Sequence, residues 1–296
     1  MSSAAPAPPN PANGTSQTSD VDIDSYLRKS VHDLLSLKHR TIVITGGARG
    51  LGLAFALAVA EVGGNVAIVD VLDTPHEHFY RIQEQFDVKI KLYKTDVTKY
   101  DVLKATFDEI VSDFGRIDGL VTAAGICPDE PFLKRDPESV AKCFAVNTLG
   151  TYYSAQLAAA QMVKQEPTSF NKKGGSIVFI GSIAAYVASK GQTTSDYCSS
   201  KGAVVALAKA LGVELAGTGI RVNSVSPGYM LTDMTLDLCN RMPWLGDIMK
   251  NEPPMRRMGD RCDLKVPIVY LLSEASAYHT SDDLLITGGI HAGRLM

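Results

Sequence analysis

Short apolar runs typical of strands alternate with longer stretches of helical periodicity from Arg40 onward. Seven such runs follow one another, each separated by enough residues for a helix: TIVIT, NVAIVD, KIKLYKTD, GLVTAAG, SIVFIGS, IRVNSVSP and LLITGG. Strands joined by helices of this length form βαβ units, which build a parallel sheet with helices on both faces. The sequence therefore predicts a single doubly wound α/β domain of the Rossmann type, with a seven-stranded parallel sheet.

Two N-terminal segments precede this domain, which we assign to residues 39–296. Residues 1–20 contain no Leu, Ile, Val or Phe and are rich in Pro, Ala, Ser and Asn. They cannot bury enough apolar surface to offset ordering, so we expect a disordered tail. Residues 21–38 predict an amphipathic helical arm that packs on the domain or on a neighbouring subunit. The apolar residues on one face of this arm are Ile23, Leu27, Val31, Leu34 and Leu35.

The charge and the cysteine content narrow the class of partner and the compartment. The 29 Lys and Arg residues nearly balance 32 Asp and Glu residues, the net charge is −3, and neither sign is concentrated in a block. Nucleic-acid binding therefore has no electrostatic support, and no apolar run approaches the roughly 18 residues of a membrane span. Five scattered cysteines without a Cys-x-x-Cys pair argue against a disulfide framework or a zinc site. We expect a cytoplasmic protein with a small-molecule partner.

A glycine-rich turn follows the first strand-like run, with glycines at Gly46, Gly50 and Gly52. Such a turn lets a pyrophosphate approach the backbone N–H groups at a helix N-terminus. Alone, it indicates a structural turn as readily as a dinucleotide site. Asp70 adds support, because it ends the second strand 18 residues beyond Gly52, where a carboxylate can accept hydrogen bonds from ribose hydroxyls.

The glycine spacing, TGxxxGxG beginning at Thr45, resembles the first motif of the short-chain dehydrogenase/reductase family. Further motifs of that family follow in order between residues 40 and 290: Asp96-Val97, Gly125, Asn147, Ser182, Tyr197 with Lys201, Pro227-Gly228 and Thr232. The resemblance implies a nicotinamide cofactor, contacted at its adenine by Asp96 and Val97, at a ribose by Ala124 and Gly125, and at its nicotinamide amide by Met230 and Thr232. The remaining residues expected to bind the cofactor are Arg49, Leu51, Tyr197, Lys201, Pro227 and Gly228.

The end of the fourth strand departs from the family pattern. The family usually has Asn-Asn-Ala-Gly there, whereas this chain has Thr122-Ala123-Ala124-Gly125. We expect the Thr122 hydroxyl to hydrogen-bond nearby backbone, so that the fold is retained with altered local hydrogen bonding.

The Tyr-x-x-x-Lys pattern of the family's active site occurs three times, at Tyr100/Lys104, Tyr186/Lys190 and Tyr197/Lys201. Acid–base chemistry needs both side chains on one helical face, one turn apart, near a hydroxyl from a strand end. Tyr100 falls in the helix after the third strand, and Tyr186 precedes a loop. Tyr197 opens a long helical run 15 residues after Ser182, so we assign the Tyr197/Lys201 pair to the active site.

The resemblance implies a catalytic role for each of four residues. Ser182 orients the substrate oxygen, Tyr197 transfers the proton, and Asn147 holds a water in the proton path. Lys201 stabilises the phenolate and reaches the ribose hydroxyls of the cofactor. Because free tyrosine has a pKa near 10, proton transfer at neutral pH requires about 4 kcal/mol of preferential phenolate stabilisation, and we expect the lysine cation to supply much of it.

Residues 233–259 form a segment rich in Met and Arg that contains the one tryptophan of the chain, Trp244. We expect this segment to cover the substrate as a lid, although packing as a surface helix pair explains Trp244 equally well. The residues expected to contact substrate are Ser182, Ile183, Tyr186, Tyr197 and Trp244.

Further motifs resemble fungal dehydrogenases of polyols and ketoses, such as arabinitol, sorbitol or sorbose, and mannitol. They are DLLSLK before the first strand, the interval from Ser182 to Tyr197, Ser226-Pro227-Gly228-Tyr229, and PMRRM at 254–258. The resemblance implies hydride transfer between a nicotinamide cofactor and a secondary alcohol or ketone, with a polyol or ketose as substrate. Two alternatives stay open: reduction of a secondary-metabolite ketone, which suits an apolar pocket, and a non-catalytic dinucleotide-binding scaffold or sensor.

Arg49 and Asp70 make opposite predictions about the cofactor. A guanidinium in the glycine turn can pair with the 2′-phosphate of NADP, whereas a carboxylate at the end of the second strand repels it. The residues after Asp70 add no second cation and one more negative charge, at Asp73. We therefore expect NAD, with NADP as the alternative.

Two helical segments are apolar on most sides, Thr148 to Val163 and Lys201 to Ala216. A helix that covers only one face of a sheet does not require this pattern, which favours a homodimer or homotetramer. The two histidines of His76-Glu77-His78 lie in a polar turn, where such residues are more often solvated than ligating, and we expect no metal.

Overall fold

The computed structural model describes residues 24–168 and 174–293. The expected tail, residues 1–20, and the first three residues of the expected arm lie outside the described residues. All strands form one parallel sheet in the order β3-β2-β1-β4-β5-β6-β7. They are β1 (Thr41–Thr45), β2 (Asn65–Asp70), β3 (Ile90–Lys94), β4 (Gly119–Thr122), β5 (Gly175–Ile180), β6 (Ile220–Pro227) and β7 (Asp283–Ile286). The predicted Rossmann-type architecture is confirmed.

Helices connect successive strands of the sheet and continue between β6 and β7. They are α1 (Val31–Leu35), α2 (Gly50–Glu61), α3 (His78–Gln85), α4 (Tyr100–Phe114), α5 (Pro137–Phe144), α6 (Gly150–Lys164), α7 (Ser195–Glu214), α8 (Asp233–Arg241), α9 (Pro243–Asn251) and α10 (Cys262–Leu272). A π-helical turn, Ala145–Leu149, joins α5 to α6.

Strand β1 shows how the sheet is buried on both faces. Ile42 and Ile44 pack with Phe55 of α2 on one face, whereas Val43 packs with Leu103 of α4 on the other. All five side chains are fully buried. Alternate residues of a strand point to opposite faces, so a sheet covered on both sides needs a nearly continuous apolar run such as TIVIT.

The strand order reverses at β1, which pairs with β2 on one side and with β4 on the other. Connections that leave neighbouring strands diverge at such a point and open a crevice outside the carboxyl ends. The glycine turn follows β1 and the Thr122–Gly125 segment follows β4, so both lie at this crevice.

The expected N-terminal arm differs from one continuous helix. A short 3₁₀ helix, Ser25–Arg28, is followed by α1, which begins at a capping box formed by Ser30 and Asp33. Leu37 is fully buried, and Leu34 and Leu35 are half-buried, but Leu27 and Val31 are each 69% exposed. The domain therefore covers only the C-terminal part of the predicted apolar face.

Candidate active site

The glycine turn has the close backbone approaches that a dinucleotide cradle requires. Gly46 has a φ of +69°, and a Cβ there would lie 2.5 Å from the amide nitrogen of Ala124. A Cβ at Gly52 would lie 2.2 Å from the carbonyl oxygen of Gly46, whereas one at Gly50 would meet nothing within 4 Å. The turn is thus tightly packed against backbone at Gly46 and Gly52 but has free space at Gly50, the first residue of α2. This geometry fits a pyrophosphate bound by the N–H groups of the helix N-terminus.

Asp70 ends β2 beside this turn, as predicted, and is buried. Its carboxylate accepts the N–H of Ala48 at 3.0 Å and the N–H of Leu72 at 3.1 Å. Backbone donors therefore fix the carboxylate against the turn. Arg49, next to Ala48, is exposed.

The other residues expected to bind the cofactor lie along the same edge of the sheet. Asp96 accepts the N–H of Thr98 at 2.9 Å, and Val97 is buried against Gly150 at the start of α6. A Cβ at Gly125 would lie 3.4 Å from Oδ1 of Asn147 and 3.6 Å from Nζ of Lys201. These contacts bring the end of β4 next to the catalytic side chains.

The segment after β6 continues this edge. Gly228 lies so close to Thr287 that a Cβ would be 2.9 Å from its Cα. Met230 is buried and forms a single parallel bridge with Gly259. Thr232 caps α8 by accepting the N–H of Thr235 at 3.2 Å.

The expectation about the Thr122 hydroxyl is wrong. Its hydroxyl is buried, and no partner for it occurs among the described residues, although we expected a hydrogen bond to backbone. On the neighbouring strand Thr45 accepts the N–H of Ala124, at 3.4 Å. The backbone after β4 is therefore supported from β1, and none of the residues in 24–168 and 174–293 satisfies the Thr122 hydroxyl.

The structure separates the three Tyr-Lys pairs. Tyr100 begins α4 and is exposed, and the Tyr186 hydroxyl donates to Asp283 of β7 at 2.6 Å. Tyr197 lies in the first turn of α7, and Nζ of Lys201 lies 5.8 Å from its ring centroid. The hydroxyl of Ser182, two residues after β5, hydrogen-bonds the phenol of Tyr197.

Lys201 is anchored inside the fold. Its ammonium donates to the carbonyl of Ile180 at 2.7 Å, and the residue is only 5% exposed. Burial lowers the pKa of Lys201 to about 8. A buried ammonium is costly because it loses hydration that one carbonyl replaces only in part.

The pKa of Tyr197 differs from the sequence expectation. Burial raises this pKa above its ordinary value, and the hydrogen bond from Ser182 lowers it. Burial also raises the pKa of Cys127, to about 12, so this thiol is neutral. In the chain alone, burial of Tyr197 outweighs the phenolate stabilisation that we expected from Lys201.

Asn147 lies within the π-helical turn and braces three segments. Its Oδ1 accepts the N–H of Ile126, and its Nδ2 donates to the carbonyl of Ile126 and to the hydroxyl of Ser200, all at 2.9 Å. Both amide hydrogens are thus used within the protein. The side-chain amide is therefore a brace, in which Ser200, missed by the sequence analysis, takes part, and the water-holding role implied by the resemblance stays a prediction.

The segment 233–259 contains α8 and α9, and Trp244 lies near the start of α9. Trp244 is 52% exposed, and its ring covers Gly191, where a Cβ would lie 2.7 Å from a ring carbon. Gly191 belongs to the loop between Ser182 and Tyr197, so α9 packs on that loop. Of the other residues expected to contact substrate, Ile183 is buried and Tyr186 is exposed.

Sequence reasoning also missed a buried ion pair beside Tyr197. Arg135 and Asp196 are joined at 2.6 Å, with side chains 2% and 1% exposed. These residues are 61 positions apart, and neither falls within an apolar pattern that signals burial. The one available signal was the position of Asp196 directly before Tyr197.

Residues 24–168 and 174–293 contain neither a candidate metal site nor a membrane-spanning helix. No cluster of three or more His, Cys, Asp or Glu side chains is arranged to hold a metal ion within these ranges. No helix in the same ranges combines the length and apolar character required to cross a membrane.

Known proteins are similar to this chain in both sequence and fold. A family model described as enoyl-(acyl carrier protein) reductase matches residues 46–291. An L-rhamnose 1-dehydrogenase (NAD(P)(+)) from Sphingomonas sp. is 35% identical over 257 residues, which cover 86% of this chain and 97% of that protein. An NADP-dependent mannitol dehydrogenase from Aureobasidium melanogenum is 32% identical over 263 residues, 87% of this chain and 94% of that protein.

A solved structure gives the same result. The short-chain type dehydrogenase/reductase from Mycobacterium marinum superposes with a TM-score of 0.82 at 35% sequence identity, and the match covers 88% of this chain and 99% of that chain. The chain belongs to the short-chain dehydrogenase/reductase family of NAD(P)-dependent oxidoreductases.

Proposed function

We propose that this chain transfers a hydride between a nicotinamide cofactor and a polyol or ketose, with Asn147, Ser182, Tyr197 and Lys201 as its catalytic residues. The observation that carries the proposal is the meeting of three side chains beside the glycine turn. The Ser182 hydroxyl bonds the Tyr197 phenol, and the Lys201 ammonium lies 5.8 Å from the phenol ring. A hydroxyl donor, a proton carrier and a cation are the groups that carbonyl reduction requires.

Each side chain has a defined task in this proposal. The Ser182 hydroxyl orients the substrate oxygen. The Tyr197 phenol gives this oxygen a proton during reduction, and the Tyr197 phenolate removes the proton during oxidation. Lys201, held by the Ile180 carbonyl, stabilises the phenolate and binds the ribose hydroxyls. The bound nicotinamide supplies or accepts the hydride. Asn147 keeps α7 and the end of β4 in register through Ser200 and Ile126.

The residues around the glycine turn support NAD as the cofactor. Asp70 is fixed by two backbone N–H groups, so it cannot turn away from a 2′-phosphate without losing both hydrogen bonds. Arg49 is exposed and offers one cation against this carboxylate. A kcat/KM higher with NADP than with NAD would reverse this assignment.

The substrate class rests on the relatives, which are named for rhamnose and mannitol. Ile183 directly follows Ser182, and the half-exposed Trp244 packs on the loop between Ser182 and Tyr197; these apolar residues also suit a secondary-metabolite ketone. A panel of polyols, ketoses and aryl ketones, followed by cofactor absorbance at 340 nm, separates these substrates. If the protein turns over none of these compounds, the result favours the alternative of a non-catalytic dinucleotide-binding scaffold.

The proposal includes a homodimer or homotetramer in the cytoplasm. Apolar side chains on the two helices named for this role are open to solvent in a single chain: Tyr152 and Val163 of α6 are each 44% exposed, and Val213 of α7 is 73% exposed. Light scattering that gives the 31.7 kDa mass of one chain at micromolar concentration would contradict the oligomer.

The catalytic assignment is tested with two tyrosine variants. Tyr197→Phe removes the proton donor and little contact area, so we expect turnover to fall at least a thousand-fold while cofactor binding is kept. Tyr100→Phe is the matched control, because it alters another Tyr-x-x-x-Lys pair on the exposed surface of α4. An active Tyr197→Phe enzyme would overturn the assignment.

A further inference from the structure

The first turn of α7 is held by a side chain of the helix itself. Thr194, the N-cap residue, makes no capping hydrogen bond to backbone. Instead, Oδ1 of Asp196 accepts the N–H of Tyr197 at 2.8 Å. The first N–H groups of a helix have no partner within the helix. This hydrogen bond therefore fixes the backbone of the residue that carries the phenol.

Arg135 binds the second oxygen of the same carboxylate. Its Nη1 lies 2.6 Å from Oδ2 of Asp196, and both side chains are almost completely buried. Its Nη2 donates to the carbonyl of Glu130 at 2.6 Å and also to the carbonyl of Thr193. One guanidinium thus joins the segment between β4 and α5 to the loop that enters α7.

The stability of the fold does not account for this pair. Removing two charges from water costs more than their attraction generally returns, and apolar residues of similar size usually serve a core as well or better. The Nε of Arg135 is, in addition, buried without a partner among the described residues. The pair instead fixes the orientation of the Asp196 carboxylate, because a guanidinium that is itself bound to three acceptors holds this carboxylate in one position.

We propose that Arg135 and Asp196 are positioning residues that set the place of the Tyr197 phenol relative to Ser182 and Lys201. The pair acts through the backbone N–H of Tyr197, which Asp196 accepts. This inference rests on the proposed role of Tyr197. A displacement of about 1 Å in a catalytic group can lower the rate about a hundred-fold.

Displacement of Tyr197 also has an effect on pH dependence. The groups near the phenol are the Ser182 hydroxyl, which hydrogen-bonds it, the Lys201 ammonium, 5.8 Å from its ring centroid, and the titratable thiols of Cys127, Cys143 and Cys198. A shift of the phenol changes its distances to all of them, and to Ser182 most directly. The pKa that governs kcat/KM should therefore move when the pair is broken.

The test uses Arg135→Lys and Asp196→Asn in the full-length enzyme. We expect kcat to fall ten- to a hundred-fold, the pKa in the pH profile of kcat/KM to shift, and the dissociation constant of NADH, measured by its fluorescence, to stay within two-fold. The matched control is Arg116→Lys. Arg116 forms a comparable buried pair with Asp118, at 2.7 Å, at the amino end of β4. The Arg116→Lys variant should lower the free energy of unfolding and leave kcat and the pH profile of kcat/KM unchanged.

A double variant guards against loss of folding. Arg135→Met with Asp196→Leu removes the pair without leaving a buried charge, and we expect a folded protein with the same loss in kcat. Wild-type kcat and pH profile in Arg135→Lys or in the double variant would overturn the inference, as would an equal loss in Arg116→Lys. Tyr197→Phe, assayed alongside, separates the two hypotheses. If it is inactive while the pair variants are normal, only this inference fails; if it is active, the proposed function fails.

Discussion

Replacing Thr122 with valine should stabilise the fold, although it removes a hydroxyl that the sequence analysis expected to hydrogen-bond nearby backbone. The Thr122 side chain is 1% exposed, and its hydroxyl has no partner among the described residues. An unsatisfied buried hydroxyl costs about 1–3 kcal/mol of desolvation, whereas a valine methyl fills the same space without this cost. We expect Thr122→Val to raise the free energy of unfolding by about 1 kcal/mol, or Tm by about 2–4 °C.

The neighbouring strand supplies the control. Thr45 is paired in register with Thr122 and equally buried, but its hydroxyl accepts the N–H of Ala124 at 3.4 Å. Thr45→Val leaves that N–H unsatisfied, so it should lower the free energy of unfolding by about 1 kcal/mol. The same substitution should thus change the free energy of unfolding in opposite directions at two adjacent positions. Urea unfolding of the cofactor-free protein, followed by circular dichroism and Trp244 fluorescence, measures both.

The reasoning would be refuted if Thr122→Val lost as much stability as Thr45→Val. That result would mean that the Thr122 hydroxyl has a partner, such as an ordered water, and that the Asn-to-Thr departure preserves a hydrogen bond at the end of β4.

Two further predictions concern Lys201 and Gly191. The folded-state pKa of Lys201 is about 8 and that of an unfolded lysine about 10.4, so its buried ammonium costs stability below pH 8 and this cost vanishes as the pH rises toward 10.4. The stability advantage of Lys201→Met over wild type should therefore shrink by about 3 kcal/mol between pH 7 and 10.5, and an advantage independent of pH would contradict the assignment. Gly191 has a φ of +76° and lies under Trp244, so Gly191→Ala should cost about 1–2 kcal/mol through its backbone and raise the substrate KM several-fold by moving α9. An unchanged KM would show that Trp244 only packs on the loop.

The sequence predicts the strands well because each is buried on both faces. The run NVAIVD becomes β2 with the same bounds, Asn65–Asp70, since a parallel strand between two helical layers has to be apolar along its length. The arm is less predictable. Apolar spacing predicts one helix, but Ser30 and Asp33 form a capping box that starts a new helix at Val31. The Ser-x-x-Asp pattern was the available signal.

The catalytic side chains follow from local spacing, but their environment does not. Lys201 is one helical turn from Tyr197 in any α-helix, so the sequence is enough to pair them. Whether the phenol is stabilised as a phenolate depends on its burial and on Ser182, which follows β5 and does not belong to α7. The Arg135–Asp196 pair is equally non-local, because charged residues are usually exposed and nothing near either one in sequence indicates the other.

The topology also has a consequence for the order in which the molecule forms during synthesis. β1 is flanked by β2, its neighbour in sequence, and by β4, and the Thr41 N–H bonds Asp118 across 77 positions. Until β4 leaves the ribosome, one edge of β1 is unpaired and the glycine turn lacks the Ala124 backbone against which Gly46 packs. Asn147 and Ser200 add a contact across 53 positions. Such non-local pairings slow folding, so the nascent chain acquires its dinucleotide cradle only after β4 and its catalytic brace only after α7, and a chain truncated before β4 has neither.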